Sequence, residues 1–179
     1  MALTRLVIDG YGQIEPNQVT FTRDGRVEAQ CALADDIIAE NGMLLAVDTA
    51  KGEVRFPTAS ETAIVGLHYS SEKIYNQFTP GLKNFKLESE DGFYPRIGFL
   101  TVGESFTTNC LCYDTDEYED EDTLKTAIKA AATTAVYGGI STIGAIKLSA
   151  TKPTVGPVLK VTKATTMPDG QYAVEFQVQ

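Results

Sequence analysis

Residues 158–178 read VLKVTKATTMPDGQYAVEFQV, two runs rich in β-branched and aromatic residues on either side of Met167-Pro168-Asp169-Gly170. Pro168 presets φ for a turn and Gly170 supplies φ > 0, so the stretch is a hairpin with a mechanism behind its turn. On its second strand Tyr172, Val174, Phe176 and Val178 share one face, while Glu175 and Gln177 face outward. A hairpin spanning 158–179 therefore closes the sequence.

The same grammar runs through the rest of the chain. Asp9-Gly10, Asp24-Gly25, Asn41-Gly42, Lys51-Gly52, Asp91-Gly92 and Gly138-Gly139 punctuate short segments suited to strands. VTFTRDGRVEAQC (19–31) reads as a second hairpin near the front. GMLLAVDTAKGEVRF, ETAIVGLHYS and FLTVGESFTTNCLCY supply further strands. The expected fold is mainly β, an antiparallel barrel or sandwich with one short helix.

That helix is the Ala-rich segment DTLKTAIKAAATTAVYGG, expected over about residues 122–136. Acids at its start suit the positive end of the helix dipole, with Asp122 as the expected N-cap. Leu124, Ile128, Ala131 and Ala135 recur at helical spacing, and Gly138-Gly139 is the expected stop. From Ser70 to Arg96 neither period holds, and a long loop is expected there, of the kind that docks against something. The loop mixes Tyr75, Phe78, Leu82, Phe85, Phe93 and Tyr94 with Lys73, Lys83, Lys86 and Arg96. Two regions are expected: an N-terminal hairpin or arm over 1–40, and a β-rich domain over 41–179.

Composition narrows the function. The chain has 179 residues, 43% hydrophobic and 22% charged, enough to build a real core. Its net charge is -9, and a pI near 4.6 opposes any partner held by phosphate neutralisation or by anionic lipid. Neither a nucleic-acid nor a membrane partner is expected. No secretory signal and no membrane-length apolar run is seen, and three cysteines suit a reducing cytoplasm better than a disulfide framework.

The stretch NCLCYDTDEYEDEDTLK (109–125) invites chemistry. Cys110 and Cys112 fall on one face of a strand, and zinc would need Cys31 and the sole histidine, His68, to complete a tetrahedral set. Without a Cys-x-x-Cys knuckle, interior packing is the stronger reading. A calcium loop starting at Asp114 needs an oxygen ligand, a glycine and a glutamate where Tyr118, Glu119 and Lys125 stand. The acids read instead as a solvated junction leading into the helix. His68 lies in the strand-like run IVGLHY, no G-x-S-x-G elbow accompanies it, and the phosphate-binding glycine motifs are missing. No catalytic residue, metal or cofactor is expected.

At GMLLAVDTAKGEVRFPT, LHYSSEKIY, GLKNFKL, FYPRIGFLTVGESFTTN and VLKVTKATTMPDGQYAVEFQV the chain resembles the head decoration, or cement, proteins of tailed bacteriophages. The likeness covers most of the chain in order and does not extend to the acidic run or the Ala-rich helix. It implies a β-rich capsid accessory protein, assembled in the host cytoplasm. Such a protein binds the major capsid protein on the outside of the virion, commonly as a homotrimer, and stabilises the shell. Tyr75, Phe78, Leu82, Phe85, Phe93 and Tyr94, with Lys83 and Lys86 at the rim, are the expected contacts. Two rival readings stand beside it: another virion or tail component or host-ligand binding β module, and an enzyme built on His68 or a carboxylate pair.

Overall fold

The computed structural model describes residues 2–22, 25, 31–70 and 94–179, and the backbone of 86–88. Among these residues the protein is mainly β with a single short helix. In chain order the first strands are β1 (Leu3–Arg5), β2 (Ile14–Gln18), β3 (Ala32–Leu33), β4 (Ile38–Glu40) and β5 (Leu44–Asp48). Next come β6 (Glu53–Arg55), β7 (Ile64–His68), β8 (Lys86–Glu88), β9 (Ile97–Gly98) and β10 (Ser105–Thr108). After β11 (Leu111–Asp114) and helix α1 (Glu121–Lys129) follow β12 (Tyr137–Gly139), β13 (Ile146–Ser149), β14 (Leu159–Thr166) and β15 (Tyr172–Val178).

The larger sheet runs in the order β1-β11-β13-β12-β14-β15-β10-β2. Its pairings are antiparallel except for β11 against β13. Only Asn109 and Cys110 link β10 to β11, yet these strands lie five places apart in the sheet. Laid flat, five strand spacings would separate them by about 24 Å, whereas the linker reaches about 11 Å. The sheet must therefore roll up. Its concave face encloses a core of Phe106, Leu111, Tyr113, Ile146, Leu148, Leu159, Val161, Val174, Phe176 and Val178. Phe106 and Phe176 are register partners with ring centroids 5.6 Å apart.

A second sheet, β3-β6-β5-β7-β9, packs against the first, sending Leu44 and Leu67 into the larger core, and β4 pairs with β8 in a small ribbon. Alternation along 110–113 stitches the two layers together. Leu111 and Tyr113 point into the rolled sheet, while Cys110 and Cys112 join Leu45, Val47, Val54, Ile97, Cys31 and Ala145 in a second core. The expected interior role of the two cysteines is thus what the fold shows.

The C-terminal hairpin forms as expected, with Gly170 at φ 88° and Val174, Phe176 and Val178 buried. The helix differs from expectation. Its N-cap is Asp120, whose side chain accepts from Thr123 N at 2.7 Å, so the helix starts one residue earlier than expected. It stops at Lys129 rather than running to 136. Past Ala130, Thr133 folds its hydroxyl back onto the Ala130 carbonyl at 3.0 Å, and Ala135 lies outside the helix. Leu124, Ile128 and Ala131 still pack in the larger core.

Gly138 and Gly139 are not the helix stop; they form β12. Gly138 is placed by packing, since a Cβ there would stand 2.7 Å from Ile146 Cγ2 and 2.9 Å from Phe176 Cε1.

Residues 1–40 carry strands of all three sheets: β1 pairs with β11, β2 with β10, β3 with β6 and β4 with β8. Of the expected hairpin 19–31, residues 23–24 and 26–30 lie outside the described residues; Gly25 has the turn's positive φ, 73°, but the described flanks 19–22 and 31 are not strand. Within the expected loop 70–96 the backbone of 86–88 is a strand, β8.

Candidate functional site

Of the expected contact residues, Tyr75, Phe78, Leu82, Lys83, Phe85 and Phe93 lie outside the described residues. Lys86 opens β8 as the register partner of Glu40. Tyr94 is 59% exposed, beside a buried Pro95. What the structure resolves in detail is how the two roots of the 70–96 segment, at Ser70 and at Tyr94–Arg96, are held.

The anchor begins at His68, the last residue of β7, which is completely buried. Its Nδ1 lies 2.8 Å from the backbone oxygen of Glu40. A carbonyl only accepts, so Nδ1 carries the proton and Nε2 is the acceptor. At 2.8 Å from Nε2 stands Ser70 Oγ, which donates to it. The same hydroxyl accepts from Arg96 N at 2.9 Å, and Tyr69 N donates to Arg96 O at 3.0 Å. Asn41 Nδ2 holds the Ser70 carbonyl at 2.8 Å. Phe21 stacks on Tyr69 with ring centroids 4.1 Å apart.

Glu40 also joins a part-buried ion pair. The Glu40 carboxylate receives Arg5 Nη1 at 2.7 Å, Arg5 Nη2, and the Gly12 amide at 2.6 Å. The hydrogen bond to Glu40 holds the Arg5 guanidinium above its usual range. Burial pushes the His68 imidazole down to about 4, so it is neutral at pH 7.

Ser70 and His68 have the spacing of a nucleophile and its base. The imidazole is wholly enclosed, and its far nitrogen faces a carbonyl, not a carboxylate. Ser70 Oγ is already bonded on both sides. The couple fixes geometry: it pins β4, β7 and the 94–98 stem to one another.

The other candidates take structural places. Burial raises the Cys110 thiol to about 12 and the Cys112 thiol to about 11, so both are protonated at neutral pH. Among the described residues no group of three or more His, Cys, Asp or Glu side chains is arranged to hold a metal ion. Within the acidic run, Asp114 is buried and faces Lys147 Nζ at 3.2 Å, Glu117 accepts from Ala150 N at 2.6 Å, and Asp120 caps α1.

Sequence reasoning missed Arg5, Glu40 and Ser70, because each acquires its role from a residue far along the chain. It also missed Val102, 73% exposed on a turn pinned by the buried Glu104 carboxylate, which accepts from Thr101 N at 2.9 Å and Thr20 N at 2.6 Å.

Compared with models of known families, with curated proteins and with solved structures, the chain matches none.

Proposed function

We propose that the protein is a structural component of a tailed-bacteriophage virion, a decoration protein that binds the outer surface of the assembled head and stabilises it without catalysis. The observation that carries this reading is the anchor under residues 70–96. Buried polar groups of Glu40, Asn41, His68 and Ser70 fix the roots of a segment whose sequence concentrates aromatic residues, and Tyr94 at its end is 59% exposed. Buried polar groups committed to holding the two ends of an aromatic-rich segment suit adhesion. The sequence resemblance points the same way.

The mechanism is linkage. A protein that binds only the expanded shell stabilises it by the binding free energy of every copy, and interfaces of about 1,600 Å² each accumulate over a shell. A net charge of -9 discourages association with DNA before assembly. The contacts are the major capsid protein and neighbouring copies of this chain in a homotrimer.

The test is addition of purified protein to expanded shells that lack it. Binding at fixed stoichiometry and a raised shell melting temperature are expected. Tyr94→Ser, and separately Phe78→Ser with Phe85→Ser, should weaken binding while leaving the melting temperature of the isolated protein unchanged. Binding to tails or host cells but not to heads would replace this reading with that of a tail or host-ligand module.

A further inference from the structure

His68 and Ser70 are joined by a hydrogen bond whose direction is fully determined. The Glu40 carbonyl consumes the one imidazole proton, at 2.8 Å, so Ser70 must donate to Nε2, also at 2.8 Å. Ser70 Oγ in turn accepts the Arg96 amide at 2.9 Å. We infer that His68, Ser70 and the Glu40 carbonyl form an acid-sensitive latch that fixes the stem formed by residues 69–70 and 94–98 to β4 and opens when His68 gains a second proton.

A proton on Nε2 aims a second donor at Ser70 Oγ, and the hydroxyl proton loses its acceptor. It also places a positive charge in a site with no exposure to water. Among the described residues the Glu40 carboxylate is the negative charge that acts on the ring, and it does not offset the cost of burial. From β4 comes Glu40, whose carboxylate is already committed to Arg5 of β1 and to the Gly12 amide. On β8, Lys86 is the backbone register partner of Glu40. The stem contributes Arg96, another cation, which meets Ser70 through its backbone. Cys110, next to Arg5, is a protonated thiol. Opening the stem lets the imidazolium reach water.

The sign follows from linkage. The closed form holds His68 at about 4, against 6.5 for the solvated ring, so the open form binds the proton more tightly. The opening equilibrium is constant above about pH 6.5. It rises about tenfold for each pH unit below that, until the closed form titrates as well. The latch is a property of the fold and operates with or without a shell.

Nuclear magnetic resonance on the full chain between pH 7 and pH 4 tests it. At pH 7 the His68 ring nitrogens should report the neutral Nδ1–H tautomer. As the pH falls, protection of the Tyr69 and Arg96 amides, corrected for intrinsic exchange, should drop about tenfold per unit below pH 6.5. Amides of the β14–β15 hairpin should keep theirs. In His68→Gln the pH dependence of the stem should vanish. The inference is overturned if the wild-type stem stays protected while His68 is protonated, if His68 titrates at its ordinary value, or if stem and hairpin open together.

Discussion

Arg5 and Glu40, 35 positions apart in sequence, meet in a two-pronged ion pair that ties the edge strand of the rolled sheet to β4. Glu40 is 9% exposed at its side chain and Arg5 30%, so removing the cation strands a carboxylate in a largely dry site. Arg5→Met should destabilise the fold by about 2–4 kcal/mol, read from urea unfolding. The double replacement Arg5→Met with Glu40→Leu should recover only part of that loss, because the Gly12 amide then lacks its acceptor. Full recovery would mean that the amide bond contributes nothing.

A second paired carboxylate gives an acid dependence of its own. Glu61 accepts both prongs of Arg55, at 2.7 and 3.0 Å, and the amides of Thr58 and Ala63 at 2.9 Å each. The Arg55 hydrogen bond lowers its carboxyl from 4.5 to about 2. The folded-state pKa is depressed, so the stability Glu61 contributes is complete above about pH 4.5 and is lost as the pH falls towards 2. Allowing for solvent screening, the contribution is about 1–2 kcal/mol. Glu61→Gln should lose that amount at pH 7 and show a flatter stability curve between pH 4.5 and 2. A curve parallel to the parent's would sink the assignment.

The helix start distinguishes two neighbouring acids. Asp120 accepts from the Thr123 amide at 2.7 Å, while Asp122 sits inside the first turn. Asp120→Ala should lower the melting temperature by about 2–4 °C, and Asp122→Ala should change it by less than half as much. Equal effects would show that the dipole, not the cap, sets this end of the helix.

These cases also show what the sequence could and could not disclose. The β14–β15 hairpin, the β5–β6 pair and the two inward cysteines were legible, because turn residues and a period of two are local signals. Asp120 and Asp122 are the same residue type two positions apart, and which one caps depends on where the chain leaves β11. Gly138-Gly139 reads as a helix stop only if nothing approaches it; Ile146 and Phe176 do. The anchor was illegible in a stronger sense. Glu40 and His68 are ordinary strand residues until β4 is carried against β7, and Ser70 gains its second partner only when Arg96 returns 26 residues later. An aromatic-rich segment is read from composition; the polar groups that hold its ends are set by tertiary packing.

Gly138 offers the sharpest test of the rolled sheet. Its neighbours Ile146 and Phe176 belong to β13 and β15 and belong to the same enclosed core, and a methyl group at 138 would stand 2.7 and 2.9 Å from their carbons. Those side chains are completely buried and have nowhere to move. Gly138→Ala should therefore cost about 1–3 kcal/mol of stability through overpacking. Gly139 is the control. A Cβ there meets the ring of Pro153 at 2.7 Å, but Pro153 is only half-buried in a connection outside the strands and can give way. Gly139→Ala should cost clearly less. Urea midpoints at an unchanged slope measure both. If the two substitutions were equally mild, β12 would not lie against the interior of the roll, and the curvature inferred from the two-residue link between β10 and β11 would lose its support.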